Sequence, residues 1–228
     1  MVWEPQLPPA ELAETRLITA ILDGTYPINT SLPAERELAG LLGVTRPTLR
    51  EALQRLARDG WVDIQHGRST RVRDYCREGN IAVLGAMARH QAQMPPDFVP
   101  NLLQVRTLLA PAYARQAVER AALAVSELTA ALAALPDEAA AYATADWELH
   151  HQLTILSGNP VFTLILNGFG DLYLEMGLRY FVRPEVRQHS RGFYAGLLEA
   201  ARHADPAAAE AHTRQIMLQS QDIWQKIA

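Results

Sequence analysis

Arg46 and Arg50 stand four residues apart, so any helix containing both projects them from one side. Guanidinium forks presented together suit bidentate binding to phosphate or to the edge of guanine. Thr45, directly before them, is a favoured helix N-cap residue. The pair would then sit at a helix N-terminus, whose exposed N–H groups add to the attraction for phosphate. A second pair, Asp146 and His150, puts a carboxylate and an imidazole on one helix face. Two such groups are half of a transition-metal site, which needs three or four ligands in fixed geometry. Catalytic signatures are missing: there is no phosphate-cradling glycine loop, nucleophile elbow or Cys/His cluster. Cys76 has no evident activating partner, and Glu148 beside His150 and His151 is a pairing that chance supplies to helical proteins. The chain reads as a binding protein, not an enzyme.

The elements around the arginines make that reading specific. Leu17, Ile18, Ile21 and Leu22 form one apolar helical face, closed by Gly24. Pro33, Glu35 and Glu37 mark the start of a second, short helix, with Leu38, Leu41 and Leu42 as its buried face and Gly43 as its stop. The arginine helix follows, with Leu49, Leu53 and Leu56 inward, and runs to Gly60. A short helix, a glycine turn and an Arg/Thr-rich second helix make a helix-turn-helix. Trp61–Ile64 and Ser69–Val72 then read as strands joined by a turn at 65–68, a wing. Its tip carries His66, Gly67 and Arg68, suited to probing a minor groove.

Charge agrees locally although not globally. The net formal charge is −4, yet from Pro33 to Arg73 eight arginines face five acids. Hydrophobic residues are 49% of the 228, enough for real cores. No apolar run approaches the roughly 20 residues of a spanning helix, no signal peptide is visible at Met1–Pro5, and the lone cysteine fits a reducing compartment. A cytoplasmic protein away from membranes is expected.

Beyond Val72 a polar connector leads into helical periodicity over roughly 81–92, 97–120, 124–134, 137–157, 161–182, 184–203 and 206–227. Pro136, Asn159-Pro160, Pro184 and Pro206 punctuate it. About seven helices read as an all-α antiparallel bundle. The expected domains are 1–73 (winged helix-turn-helix), 74–98 (connector with a linker helix) and 99–228 (helical, ligand-sensing and dimer-supporting). Arg106, Tyr173, Tyr180, Ser220 and Trp224 stand out as polar or aromatic residues within apolar helices, in a bundle whose core could hold a small molecule.

Pro33–Leu38, Gly43–Arg46, Thr48–Glu51 and Leu53–Trp61 resemble the GntR family of regulators, and the run through Ile64–Gly67 resembles its fatty-acid-responsive FadR members. Asn101–Thr107, Leu164–Gly168, Leu172-Tyr173, Arg179–Phe181, Gly192–Tyr194 and Ile223-Trp224 are similar to the FadR C-terminal domain. The resemblance implies a homodimer on a palindromic double-stranded DNA operator, acting as repressor, activator or both. It implies base contacts from Arg36, Arg46 and Arg50, phosphate contacts from Thr45 and Thr48, and His66 and Gly67 at the wing tip. It also implies a long-chain fatty acyl-CoA effector bordered by Arg106, Tyr173, Tyr180, Ser220 and Trp224, without a cofactor, whose binding releases DNA. Pro47 and Met217 depart from the pattern, which has a hydroxyl residue and a glycine there, and the sequence stops at Ala228, before a basic residue the family can use.

Asp146 and His150, followed by Ser157–Pro160, also resemble the start of the metal-binding sensor domain of other GntR members. The remaining ligand positions of that domain fall at Tyr194 and Ile216, with His189 and His212 a helical turn away. A sensor of a small carboxylate through a metal at Asp146 and His150 is therefore the alternative. A DNA-associated module without an effector, or an enzyme fused to a winged helix, is a more distant one.

Overall fold

The computed structural model describes residues 7–65 and 67–227. Two compact units, Met1–Met94 and Pro95–Ala228, each have their own core. In the first, Ala13, Leu17, Ile18 and Ile21 bury one face of α1 (Pro9–Leu22). Leu38, Ala39 and Leu42 do the same for α2 (Glu35–Leu42), which Gly43 ends in the left-handed conformation, φ 65°. That conformation costs glycine nothing and other residues strain. α3 (Arg46–Asp59) starts on Thr45, whose Oγ1 accepts from the Thr48 N–H at 3.4 Å, and buries Leu49, Ala52, Leu53 and Leu56.

Gly60 ends α3 at φ 100°, and a Cβ there would lie 2.8 Å from the Gly79 Cα. The close approach brings α4 (Tyr75–Glu78) and α5 (Ile81–Arg89) against the end of α3. Asn80 Nδ2 donates to the Arg58 carbonyl at 3.1 Å, and the Tyr75 ring lies 4.8 Å from that of buried Trp61.

The hairpin is shorter than the sequence pattern predicts. β1 (Val62–Asp63) and β2 (Arg71–Val72) pair antiparallel, Val62 opposite Val72 and Asp63 opposite Arg71. Residues 69 and 70 leave that ladder, while the other edge of the returning strand pairs with the segment before α2. Leu32 N–H donates to the Thr70 carbonyl at 2.8 Å, and Ser31 bridges Arg71.

The second unit is an antiparallel helical bundle. α6 (Phe98–Ala131) joins the two expected helices 97–120 and 124–134 across a bend at Ala121, whose φ of −147° and ψ of 45° are not helical. α7 (Ala139–Leu156), α10 (Pro184–Arg202) and α11 (Pro206–Ile227) follow the expected pattern. The predicted 161–182 helix is instead two, α8 (Pro160–Asn167) and α9 (Gly170–Tyr180), broken at Gly168 and Phe169. Ala110, Ala114, Ala117, Leu149, Leu153, Phe193 and Leu197 sit at the centre, the alanines letting α6 approach its neighbours closely. Among the described residues no helix is long and apolar enough to cross a membrane.

Candidate functional site

The helix-turn-helix gathers its cations on one exposed face. Arg46 and Arg50 point outward from α3 while its leucines point in, and Glu35 on α2 holds both. Arg50 Nε donates to Glu35 Oε2 at 2.8 Å, and an Arg46 terminal nitrogen lies 3.8 Å from the same oxygen. Arg36 is exposed and forms no ion pair among the described residues. The hydroxyls of Thr45 and Thr48 are 2.8 Å apart at the helix N-terminus, with Pro47 exposed between them. Gly67 is exposed at φ 74°, and His66 lies outside the described residues. The arrangement presents a helix N-terminus, two arginines and two hydroxyls to one partner surface, which is how phosphate-positioning and base-reading groups are distributed in major-groove readers.

In the helical unit, helix periodicity brings distant residues to one place. Arg106 on α6, Tyr173 and Tyr180 on α9, and Ser220 and Trp224 on α11 all line one cavity of about 140 Å³. The other walls are apolar, including Leu102, Leu109, Phe162, Leu166, Leu172 and Met176. Each helix contributes at the spacing of a single face: 173 and 180 two turns apart, 220 and 224 one turn apart. Met217, the departure in α11, is buried in the bundle core and is not among the lining residues.

Asp146 meets this cavity from α7 with His150 packed behind it, and their surroundings define its polar edge. One terminal nitrogen of Arg106 donates to Asp146 Oδ2 at 3.2 Å and lies 2.7 Å from His150 Nε2. Arginine can only donate, so Nε2 is the imidazole lone pair and the ring proton is on Nδ1. That proton points to the Tyr113 hydroxyl, 2.7 Å away. Asp146 is otherwise filled by Tyr173, donating to Oδ2 at 2.6 Å, and Tyr194, donating to Oδ1 at 3.0 Å. The Arg106 guanidinium lies over the Tyr173 ring, 5.0 Å from its centre, and its buried Nε has no hydrogen-bond partner among the described residues.

The protonation states follow. Burial pushes His150 down to about 3, with the Arg106 charge adding to it and Asp146 opposing, so the ring is neutral. Burial works against the Asp146 carboxylate, but the permanent Arg106 cation and the hydroxyls of Tyr173 and Tyr194 hold its pKa below the usual value. Burial would also lower Arg106, yet the adjacent Asp146 carboxylate keeps it a cation. Burial raises the phenols of Tyr113, Tyr173, Tyr180 and Tyr194, which stay neutral donors. The cluster therefore holds one cation, one anion and neutral hydroxyls.

The Asp146–His150 pair faces a cation in this cluster. The lone pair of His150 and one oxygen of Asp146 already face a permanent cation, Arg106. No group of three His, Cys, Asp or Glu with metal-binding geometry occurs among the described residues. At the positions where the alternative reading looks for further ligands, Tyr194 serves Asp146, and His212 Nε2 lies 3.2 Å from the Phe193 carbonyl. Cys76 is exposed, and partial burial with nearby Asp74 raises its thiol, the opposite of nucleophilic activation.

Sequence reasoning did not single out Tyr113 or Asp146 as part of a ligand cavity. The signal for Tyr113 was its seven-residue spacing from Arg106, two turns along one face.

Residues 9–72 match the family described as bacterial regulatory proteins, gntR family, and residues 73–228 match the FadR C-terminal domain. A fatty acid metabolism regulator protein of Shewanella amazonensis is 40% identical over 96% of this chain and 91% of its own length. One from Escherichia fergusonii is 39% identical over 96% and 92%. Among solved structures, Lar, described as controlling expression of the Listeria monocytogenes agr system, has a TM-score of 0.61 and 15% identity over 99% of this chain and 100% of its own, a likeness of fold alone.

Proposed function

The chain belongs to the GntR family, with a C-terminal domain of the FadR type, and from that premise we propose an acyl-CoA-gated DNA switch. It is a DNA-binding transcriptional regulator of fatty acid metabolism and not an enzyme. In the proposed switch a homodimer grips a palindromic operator. Arg36, Arg46 and Arg50 read base edges in the major groove, Thr45 and Thr48 fix register on phosphates, and His66 with Gly67 reaches the adjacent minor groove. Dimerisation supplies the contacts that one winged domain lacks for high specificity. Such a switch acts in the cytoplasm and uses no cofactor beyond its effector.

The observation that carries the effector is the cavity bordered by Arg106, Tyr173, Tyr180, Ser220 and Trp224. Its apolar walls suit an acyl tail, and its cation and hydroxyls suit a carbonyl oxygen. At about 140 Å³ it is smaller than the roughly 300–1,000 Å³ of pockets that hold whole ligands. A long acyl chain therefore enters by displacing lining side chains. That displacement is the differential contact through which a ligand favours one conformation. Residues 74–98 carry the change to the DNA-binding unit; replacing this segment with ligand-induced release intact would refute that route.

Fluorescence anisotropy on labelled operator at fixed salt tests the proposal. Release by palmitoyl-CoA, with no effect of free CoA, is the expected result. Tight operator binding indifferent to palmitoyl-CoA would leave a regulator with a different effector. A metal-dependent carboxylate sensor gains nothing from the geometry, since Arg106 already occupies the Asp146–His150 pair.

A further inference from the structure

Among the described residues Asp146 is the one anion lining the cavity, and nothing about holding an acyl thioester calls for it. A carbonyl oxygen needs donors, and Arg106, Tyr180 and Ser220 supply them. Asp146 instead occupies donors that a ligand could use: a terminal nitrogen of Arg106 at 3.2 Å and the Tyr173 hydroxyl at 2.6 Å. Its side chain is 7% exposed, so water does little to screen its charge, and both oxygens are filled. His150 adds no positive charge, because its lone pair accepts from Arg106. The formal charge of the cluster is therefore already balanced before any ligand arrives.

We propose that Asp146 is a specificity-determining residue that closes this cavity to free fatty acid carboxylates while admitting neutral acyl thioesters. A thioester carbonyl can accept from Arg106 or from a cavity hydroxyl, Tyr180 or Ser220, without adding charge. A free carboxylate taking the same place would put a second anion beside Asp146, in a buried site with a single cation. Like charges brought together out of water are a standard means of rejecting a wrong ligand. The regulator would in this way respond to the activated, CoA-linked form of an acyl chain and ignore its unactivated acid. The inference rests on the acyl-CoA reading of the cavity and adds what sets its head-group preference.

The test uses ligands without the nucleotide, so that loss of CoA contacts cannot mimic charge rejection. Palmitate and the S-palmitoyl thioester of N-acetylcysteamine are titrated below their micelle concentrations, with binding read from tryptophan fluorescence of the full chain; palmitoyl-CoA is the control. The wild type is expected to bind the neutral thioester at least tenfold more tightly than palmitate. Asp146→Asn, which frees Arg106 of its counter-ion, is expected to gain at least tenfold in palmitate affinity and to erase or invert that preference. Asp146→Ser is a second neutral variant, whose smaller side chain leaves room for the ligand's own carboxylate beside Arg106. Equal affinity of the wild type for the two ligands would overturn the inference. So would a folded neutral variant that still rejects palmitate. A wild type blind to palmitoyl-CoA would instead overturn the reading on which the inference rests.

Discussion

Arg50 and Glu35 show how much a single side chain can be asked to do. In the free protein Arg50 spends its Nε on Glu35, 2.8 Å away, which holds the guanidinium in place on the exposed face of α3. The pair is largely solvated, so it is worth little to stability; its value lies in where the fork points. Arg50→Ala is expected to cost about 1–3 kcal/mol of discrimination between operator and random DNA. Anisotropy titrations on both DNAs check this, and equal losses on the two would demote Arg50 to a phosphate contact. His150 makes a different kind of prediction. Its folded pKa, about 3, lies below that of an unfolded histidine, near 6.5. Between those values the unfolded chain binds a proton that the folded chain refuses. The stability His150 contributes is thus fully present above about pH 6.5 and is lost as pH falls toward 3, at up to about 1.4 kcal/mol per pH unit. His189, also depressed by burial, adds to the same slope. Urea denaturation at pH 7 and pH 5 should show a smaller pH effect in His150→Gln than in the wild type; identical losses would mean His150 does not titrate this way. Asp146 and His150 were visible in the sequence as a pair on one face. Their true partner was not, because Arg106 is forty residues away and only the packing of α6 on α7 supplies it.

At the scale of elements, glycines and prolines gave the boundaries wherever local chemistry alone decides them. Gly43 and Gly60 end α2 and α3 in the left-handed conformation that their type favours. Gly60 also does something no local pattern reveals: its missing side chain lets the end of α3 meet the backbone at Gly79. Gly60→Ala therefore carries two penalties, a positive φ worth about 1–2 kcal/mol for an L residue and a Cβ within 2.8 Å of a backbone carbon. The full-length variant is expected to unfold at lower urea and to bind operator more weakly. Unchanged stability would show that the α3–α4 junction yields at no cost. Two boundaries were not legible. The wing ladder stops at Asp63 and Arg71, and the other edge of the returning strand is bonded by Leu32, some forty residues earlier, a pairing that no local pattern carries. The apolar run at 161–182 keeps a helical period across Gly168 and Phe169, where the chain nevertheless turns and seats Phe169 in the cavity wall.

At the scale of the whole molecule, charge and linkage decide how the parts act together. The chain carries a net −4 while eight arginines crowd into 33–73, so the positive field is local and favours approach of DNA to that unit alone. The five polar or aromatic residues within apolar helices converge on one cavity; periodicity places them on shared helical faces, and only the assembled bundle brings those faces to a point. Whatever path joins the cavity to the DNA face, thermodynamics fixes one relation between them. If saturating acyl-CoA weakens operator affinity by some factor, saturating operator must weaken acyl-CoA affinity by the same factor. For a useful switch that factor is at least tenfold, about 1.4 kcal/mol of coupling. Palmitoyl-CoA can be titrated against the free protein and against the operator complex, and operator against the free and the acyl-CoA-saturated protein, all at one salt concentration because DNA affinity varies steeply with salt. The two ratios are expected to agree. A fall in DNA affinity without the matching fall in acyl-CoA affinity would mean that the ligand strips the protein from DNA by some route other than this cavity, such as detergent-like unfolding, and the cavity would lose its claim to be the sensor.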